Sequence, residues 1–114
     1  MAEQESRRKK RYEIRVAAEV TAQNDILQSA TKNLSESGIC LITRQPLREG
    51  SQVQISLFLV VDGIEDTTTP SIEINAQVVW SAPSSESEFL AGCQFVGLAG
   101  EGEEALMGFL NRFD

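Results

Sequence analysis

The 114-residue chain contains no histidine. That absence removes the commonest general base, the usual activator of a serine or cysteine nucleophile, and the commonest metal ligand. Cysteine is nearly absent too: Cys40 and Cys93 are the two present. They stand too far apart in sequence for the paired spacing of a zinc site. Each lies in an apolar run and reads as a buried, reduced core thiol of a cytoplasmic protein. No apolar stretch approaches the roughly 20 residues needed to cross a bilayer. The first ten residues, "MAEQESRRKK", carry no apolar segment of the secretory kind. No pair of carboxylates stands out as an acid/base couple. These absences argue against an enzyme, a metal site, a cofactor and membrane insertion.

What is present is an ordinary globular composition, 41% hydrophobic and 24% charged, long enough for one domain with its own core. The charge is unevenly placed. Residues 1 to 15 hold Arg7, Arg8, Lys9, Lys10, Arg11 and Arg15 against Glu3, Glu5 and Glu13, a net of +3. The chain as a whole is −7, so the remainder carries −10. A body of that sign repels an extended phosphate backbone, which excludes long nucleic acid as a partner. A short basic arm on it can still hold a small anion.

From Tyr12 onward the pattern is mainly that of a β protein. "IRVAAEV" alternates Ile14, Val16, Ala18 and Val20 with outward residues, Arg15 among them, and predicts a first strand. Residues 26–32 and "GICLITR" predict a second and a third. Residues 52–61 place Val53, Ile55, Leu57, Leu59 and Val61 on one face. Residues 71–81 do the same with Ile72, Ile74, Ala76, Val78 and Trp80, and Phe89 to Phe95 form the last strand. "ALMGFLNRF" then sets Leu106, Phe109, Leu110 and Phe113 at helical spacing, behind a cluster of acids that suits a helix N-terminus. Six antiparallel strands and a C-terminal helix predict a small barrel over residues 11–114, with residues 1–10 as a flexible arm.

Two polar stretches remain. "RRKKR", Arg7 to Arg11, reads alone as a solvated basic run. "NLSESG", Asn33 to Gly38, reads alone as a turn in which Asn33 and Ser35 bond to nearby backbone and Gly38 takes a positive φ. Together they resemble the PilZ domain family of small bacterial β-barrels, which bind the second messenger cyclic di-GMP. That family has an Arg-x-x-x-Arg motif before its first strand and an Asp/Asn-x-Ser-x-x-Gly motif between its second and third. Arg11 and Arg15 share the first spacing as well, but Arg15 falls within the strand, so the motif is assigned to Arg7 and Arg11. The later stretches "AQVVW" and "AGCQFVGL" also look like family strands in their usual order.

The resemblance implies a six-stranded antiparallel PilZ-type barrel that binds cyclic di-GMP through Arg7, Arg11, Asn33, Ser35 and Gly38. Guanidinium groups fork onto phosphate or guanine edges and stack on bases, and an amide matches the mixed donor and acceptor edge of guanine. Arg8 is a further phosphate candidate. Trp80 shares parity with Ile72 and Val78, which places it in the core, while the resemblance offers a ligand-stacking role for an aromatic near that strand end. It further implies a cytoplasmic receptor and adaptor whose arm closes over ligand and presents a new face to an unidentified effector protein. Two alternatives stand beside this: a PilZ-like interaction module that binds no nucleotide, and an RNA-binding barrel, which the acidic body and scarce aromatics oppose.

Overall fold

Alternating apolar residues fold into six strands: β1 (Ala17–Ala22), β2 (Asp25–Leu34), β3 (Gly38–Thr43), β4 (Gln52–Phe58), β5 (Ile72–Pro83) and β6 (Phe89–Phe95). The helix α1 (Gly100–Asn111) follows. The computed structural model describes residues 11–58 and 71–113. Every neighbouring pair is antiparallel, and the sheet closes in the order β1-β2-β3-β6-β5-β4. The expected antiparallel barrel with a C-terminal helix is therefore the fold. Closure sets Val20 of β1 opposite Ile55 of β4 and leaves few free edges.

The β1–β2 hairpin turns on two residues, Gln23 and Asn24, between the paired Ala22 and Asp25. Both take positive φ, 52° and 74°, as a tight turn matched to strand twist requires. Inside the barrel Val20, Leu34, Leu41, Ile55 and Leu57 are fully buried. Leu106, Phe109 and Leu110 join the same core from α1, which packs against β5. Glu101 and Glu103 occupy the first helical turn, where the helix dipole favours negative charge.

Several boundaries differ from the sequence expectation. Regular pairing of the first strand begins at Ala17, not Ile14. The buried Thr31 hydroxyl accepts from Val16 N–H at 2.8 Å and donates to the Ile14 carbonyl, so a side chain takes up backbone groups that regular pairing would use. Strand β2 runs on to Leu34 and takes in the first two residues of "NLSESG". Leu59 and Val61, expected in the fourth strand, lie outside the described residues. Phe113 falls beyond the end of α1 and is exposed, its ring set edge-on to Phe109 at 5.2 Å. No helix among the described residues is long and apolar enough to cross a membrane.

The two cysteines part company. Cys93 belongs to the core, as expected, and burial pushes its thiol up to about 12. Cys40 is buried but stands outside the core cluster, between the inward-facing Ile39 and Leu41. It lies in the outer wall of the barrel. The shift at Cys93 has a consequence for stability. Below pH 9, the ordinary thiol value, both folded and unfolded chains keep the proton and nothing is lost. Above it the unfolded chain releases the proton first, so stability falls as pH rises toward the folded value. Denaturant titrations at pH 8 and pH 10.5 are expected to show a smaller alkaline loss for Cys93→Ala than for the wild type.

Candidate ligand-binding face

The segment after the basic run is fastened at two points. Tyr12 N–H donates to the Leu34 carbonyl at 2.8 Å and Leu34 N–H returns the bond to the Tyr12 carbonyl at 2.9 Å. Further along, Thr31 N–H donates to the Val16 carbonyl, next to the hydroxyl bonds already described. With Tyr12 pinned to the end of β2, Arg11 is delivered to "NLSESG". Its Nη1 donates to Asn33 Oδ1 at 3.1 Å across 22 residues of sequence. The last residue of one motif and the first of the other are thus in direct contact. Arg7 and Arg8 lie outside the described residues.

Asn33 reaches the outer surface through an irregularity. Thr31 pairs with Leu41 and Asn33 with Cys40, so Lys32 is one residue too many in β2. The bulge lets Thr31 and Leu34 both point inward while Lys32 and Asn33 stay outside. The turn beyond is built by Ser35. Its Oγ accepts from Gly38 N–H at 3.1 Å and Ser37 N–H at 3.3 Å and donates to the Gly38 carbonyl at 3.2 Å. That uses the whole bonding capacity of a hydroxyl. Ser35 is itself buried, so in this state it shapes the loop instead of presenting an oxygen to solvent.

Gly38 requires a correction. It does not take a positive φ; among the described residues the positive-φ glycines are Gly50, Gly97 and Gly100. Its requirement is space, since a Cβ there would sit 2.7 Å from the Cys93 carbonyl oxygen in β6. The atom that would meet the added carbon belongs to a neighbouring strand, not to the turn.

Trp80 is the second correction. It is 41% exposed, not a core residue. The parity argument fails because β5 also contains a bulge: Val78 pairs with Cys93 and Trp80 with Gly92, leaving Val79 unmatched. One extra residue turns Trp80 from the inside to the outside. Its indole lies on Gly92, where a Cβ would come within 2.0 Å of the indole Nε1. Neither bulge has a Gly or Pro to announce it, which is why periodicity missed both.

Across the strands these residues form one row. Asn33 faces Cys40, Cys40 faces Gly92, and Gly92 faces Trp80. At about 4.8 Å between strands the row spans roughly 14 Å of the outer wall. Arg11 stands at one end and an exposed indole at the other. Burial raises the Cys40 thiol above its ordinary value, and the charges of Lys32 and Arg11 offset only part of this. Two cations therefore act on the middle of the row. Among the described residues no group of acids and cysteines is placed to hold a metal ion. The row offers a guanidinium, an amide and an aromatic face, which suits recognition of a planar, anionic molecule.

The closed six-stranded barrel fixes the architecture, and comparison with known proteins gives its family. The family model of the PilZ domain matches residues 5–112. The chain belongs to the PilZ family. Among solved structures it is similar to the inhibitor of motility MotI/DgrA of Bacillus subtilis, with a TM-score of 0.74 at 16% identity over 94% of this chain and 50% of that one. It is also similar to Escherichia coli YcgR in complex with c-di-GMP, with a TM-score of 0.72 at 16% identity over 94% of this chain and 45% of that one. The PilZ domain of CeSA from a cellulose-synthesizing bacterium gives a TM-score of 0.62 at 15% identity, covering 91% of this chain and 97% of that one. The chain thus spans about half the length of the first two. No protein of curated function matches it.

The two glycines of this region predict different outcomes. Gly38→Ala forces a backbone carbonyl aside and is expected to cost about 1–3 kcal/mol of stability by denaturant titration. Gly92→Ala displaces a side chain that can swing away. It is expected to change stability by less than about 1 kcal/mol while shifting the emission of the single tryptophan to longer wavelength.

Proposed function

We propose that the chain is a cyclic di-GMP receptor that works as an adaptor in bacterial second-messenger signalling. The observation that carries this reading is the Arg11–Asn33 hydrogen bond, which joins the two motifs at one place on the barrel. Membership of the PilZ family and similarity to YcgR, whose PilZ domain was solved with c-di-GMP, support it. The chemistry of the face agrees: Arg11 can fork onto a phosphate or onto guanine O6 and N7, and Asn33 offers donor and acceptor to the guanine edge. Ser35 and Gly38 contribute by fixing the loop that carries Asn33. Trp80, on the outer wall, is free to stack on a base from the other end of the row.

In this reading Arg7, with Arg8 beside it, supplies the second guanidinium from the arm of residues 1–10. Ligand draws the arm onto the Asn33 loop and so makes a surface that the apo protein lacks. An effector protein then reads that surface. The work is recognition, not catalysis, and its place is the cytoplasm, where two reduced thiols are at home.

Isothermal titration calorimetry with cyclic di-GMP tests the proposal, with GTP as control. The wild type is expected to bind saturably and GTP not to compete. Arg11→Ala is expected to weaken binding by at least about tenfold, as loss of a charge-assisted fork to phosphate or base does. A wild type that gives neither heat nor displacement of a labelled ligand would leave the other reading, a PilZ-like interaction module without nucleotide.

A further inference from the structure

The bulge that exposes Trp80 is held in place by residues far from it in sequence. Pairing of β5 with β4 ends at Gln77, opposite Gln52, whereas pairing of β5 with β6 continues to Pro83. Beyond Gln77 the strand therefore has a neighbour on one side only. The loop between β3 and β4 fills the other side. Gly50 N–H donates to the Val78 carbonyl at 2.7 Å, and Val78 N–H donates to the Ser51 carbonyl at 2.9 Å. The loop is itself a tight turn, closed by Ser51 N–H on the Arg48 carbonyl at 3.1 Å, with Gly50 at φ 85°. At the position before that glycine stands Glu49. Its Oε2 accepts from Ser81 N–H at 3.2 Å, immediately after Trp80.

The bulged segment Val78–Ser81 is thus tied to one turn at both ends, by backbone at Val78 and by a carboxylate at Ser81. We propose that Glu49 is a positioning residue for Trp80: its carboxylate stands in for the missing strand, holds the bulge open, and keeps the indole on the outer face over Gly92. Without that acceptor, Ser81 N–H turns to water and the bulge has one anchor instead of two. The indole then samples orientations off Gly92, and a ligand must restrict it on binding. Glu49 acts on the ligand face through Trp80 and does not itself need to touch ligand. The part of the inference that concerns affinity rests on the receptor reading above; the part that concerns the indole does not.

Glu49→Ala and Glu49→Gln, each alone and combined with Trp80→Ala, test this. In ligand-free protein, the single tryptophan of Glu49→Ala is expected to be more accessible to acrylamide quenching than that of the wild type. Glu49→Gln keeps an acceptor oxygen and is expected to match the wild type. Calorimetry with cyclic di-GMP is expected to show roughly threefold to tenfold weaker binding for Glu49→Ala and no further loss when it is added to Trp80→Ala. Equal quenching of wild type and Glu49→Ala would overturn the proposal, as would an affinity loss that persists in the Trp80→Ala background. If the wild type binds no cyclic di-GMP, the receptor reading fails, and the quenching comparison still decides the role of Glu49. Thermal unfolding of each variant establishes that it is folded.

Discussion

A strand residue in a barrel wall points either into the core or out to solvent, and the period of two leaves no third choice. The candidate ligand face exists because this rule is broken twice, by Lys32 in β2 and Val79 in β5. Each extra residue adds one to the count and sends the next side chain out. Thr31 and Leu34 stay in the core while Asn33 emerges; Val78 stays in the core while Trp80 emerges. Remove either bulge and the apolar pattern of that strand conflicts with the side chain the surface needs. The remaining features answer to these two points: Tyr12 pins the chain so that Arg11 meets Asn33, and Gly92 leaves the space that the indole fills.

In the proposed receptor, charge gives the face its selectivity. Six of the ten cations lie within the first 15 residues of a chain whose remainder carries −10. A long polyanion laid over this surface would soon meet acids, and the repulsion would grow with its length. A compact dianion confined to the neighbourhood of Arg11 and Lys32 escapes most of that, because screening limits each charge to about 8–10 Å at physiological salt. In the proposed complex, arginine matters more than positive charge in general. Asn33 and a planar base each need directed hydrogen bonds, which a guanidinium supplies and an ammonium does not.

Much of this is legible in the residues alone. Period-two alternation located the first, fourth, fifth and sixth strands, the second and third were read from weaker apolar runs, and the spacing of Leu106, Phe109 and Leu110 located the helix and its buried face. The motif residues Arg11 and Asn33 were legible through family resemblance, and the structure brings them into contact. What could not be read depended on pairing across strands. Whether Trp80 faces inward is decided by its register with Gly92, not by its own neighbours. Gly38 looked like a turn glycine, yet its constraint is a carbonyl of Cys93, distant in sequence. The hydroxyl of Thr31 displaced the start of β1 for the same reason. Glu49 offers no local signal of any kind, since its partner Ser81 lies 32 residues away.

The central claim is that ligand lies along one row of the outer wall, from Arg11 and Asn33 across Cys40 and Gly92 to Trp80. Backbone and indole resonances followed by NMR during addition of cyclic di-GMP test it most directly. The account predicts shifts concentrated at Arg11, Asn33, Cys40, Gly92 and the Trp80 indole, with Glu19, Gln54 and Glu73 unmoved on the other strands. Saturating shifts at Glu19, Gln54 and Glu73, with the row silent, would contradict it.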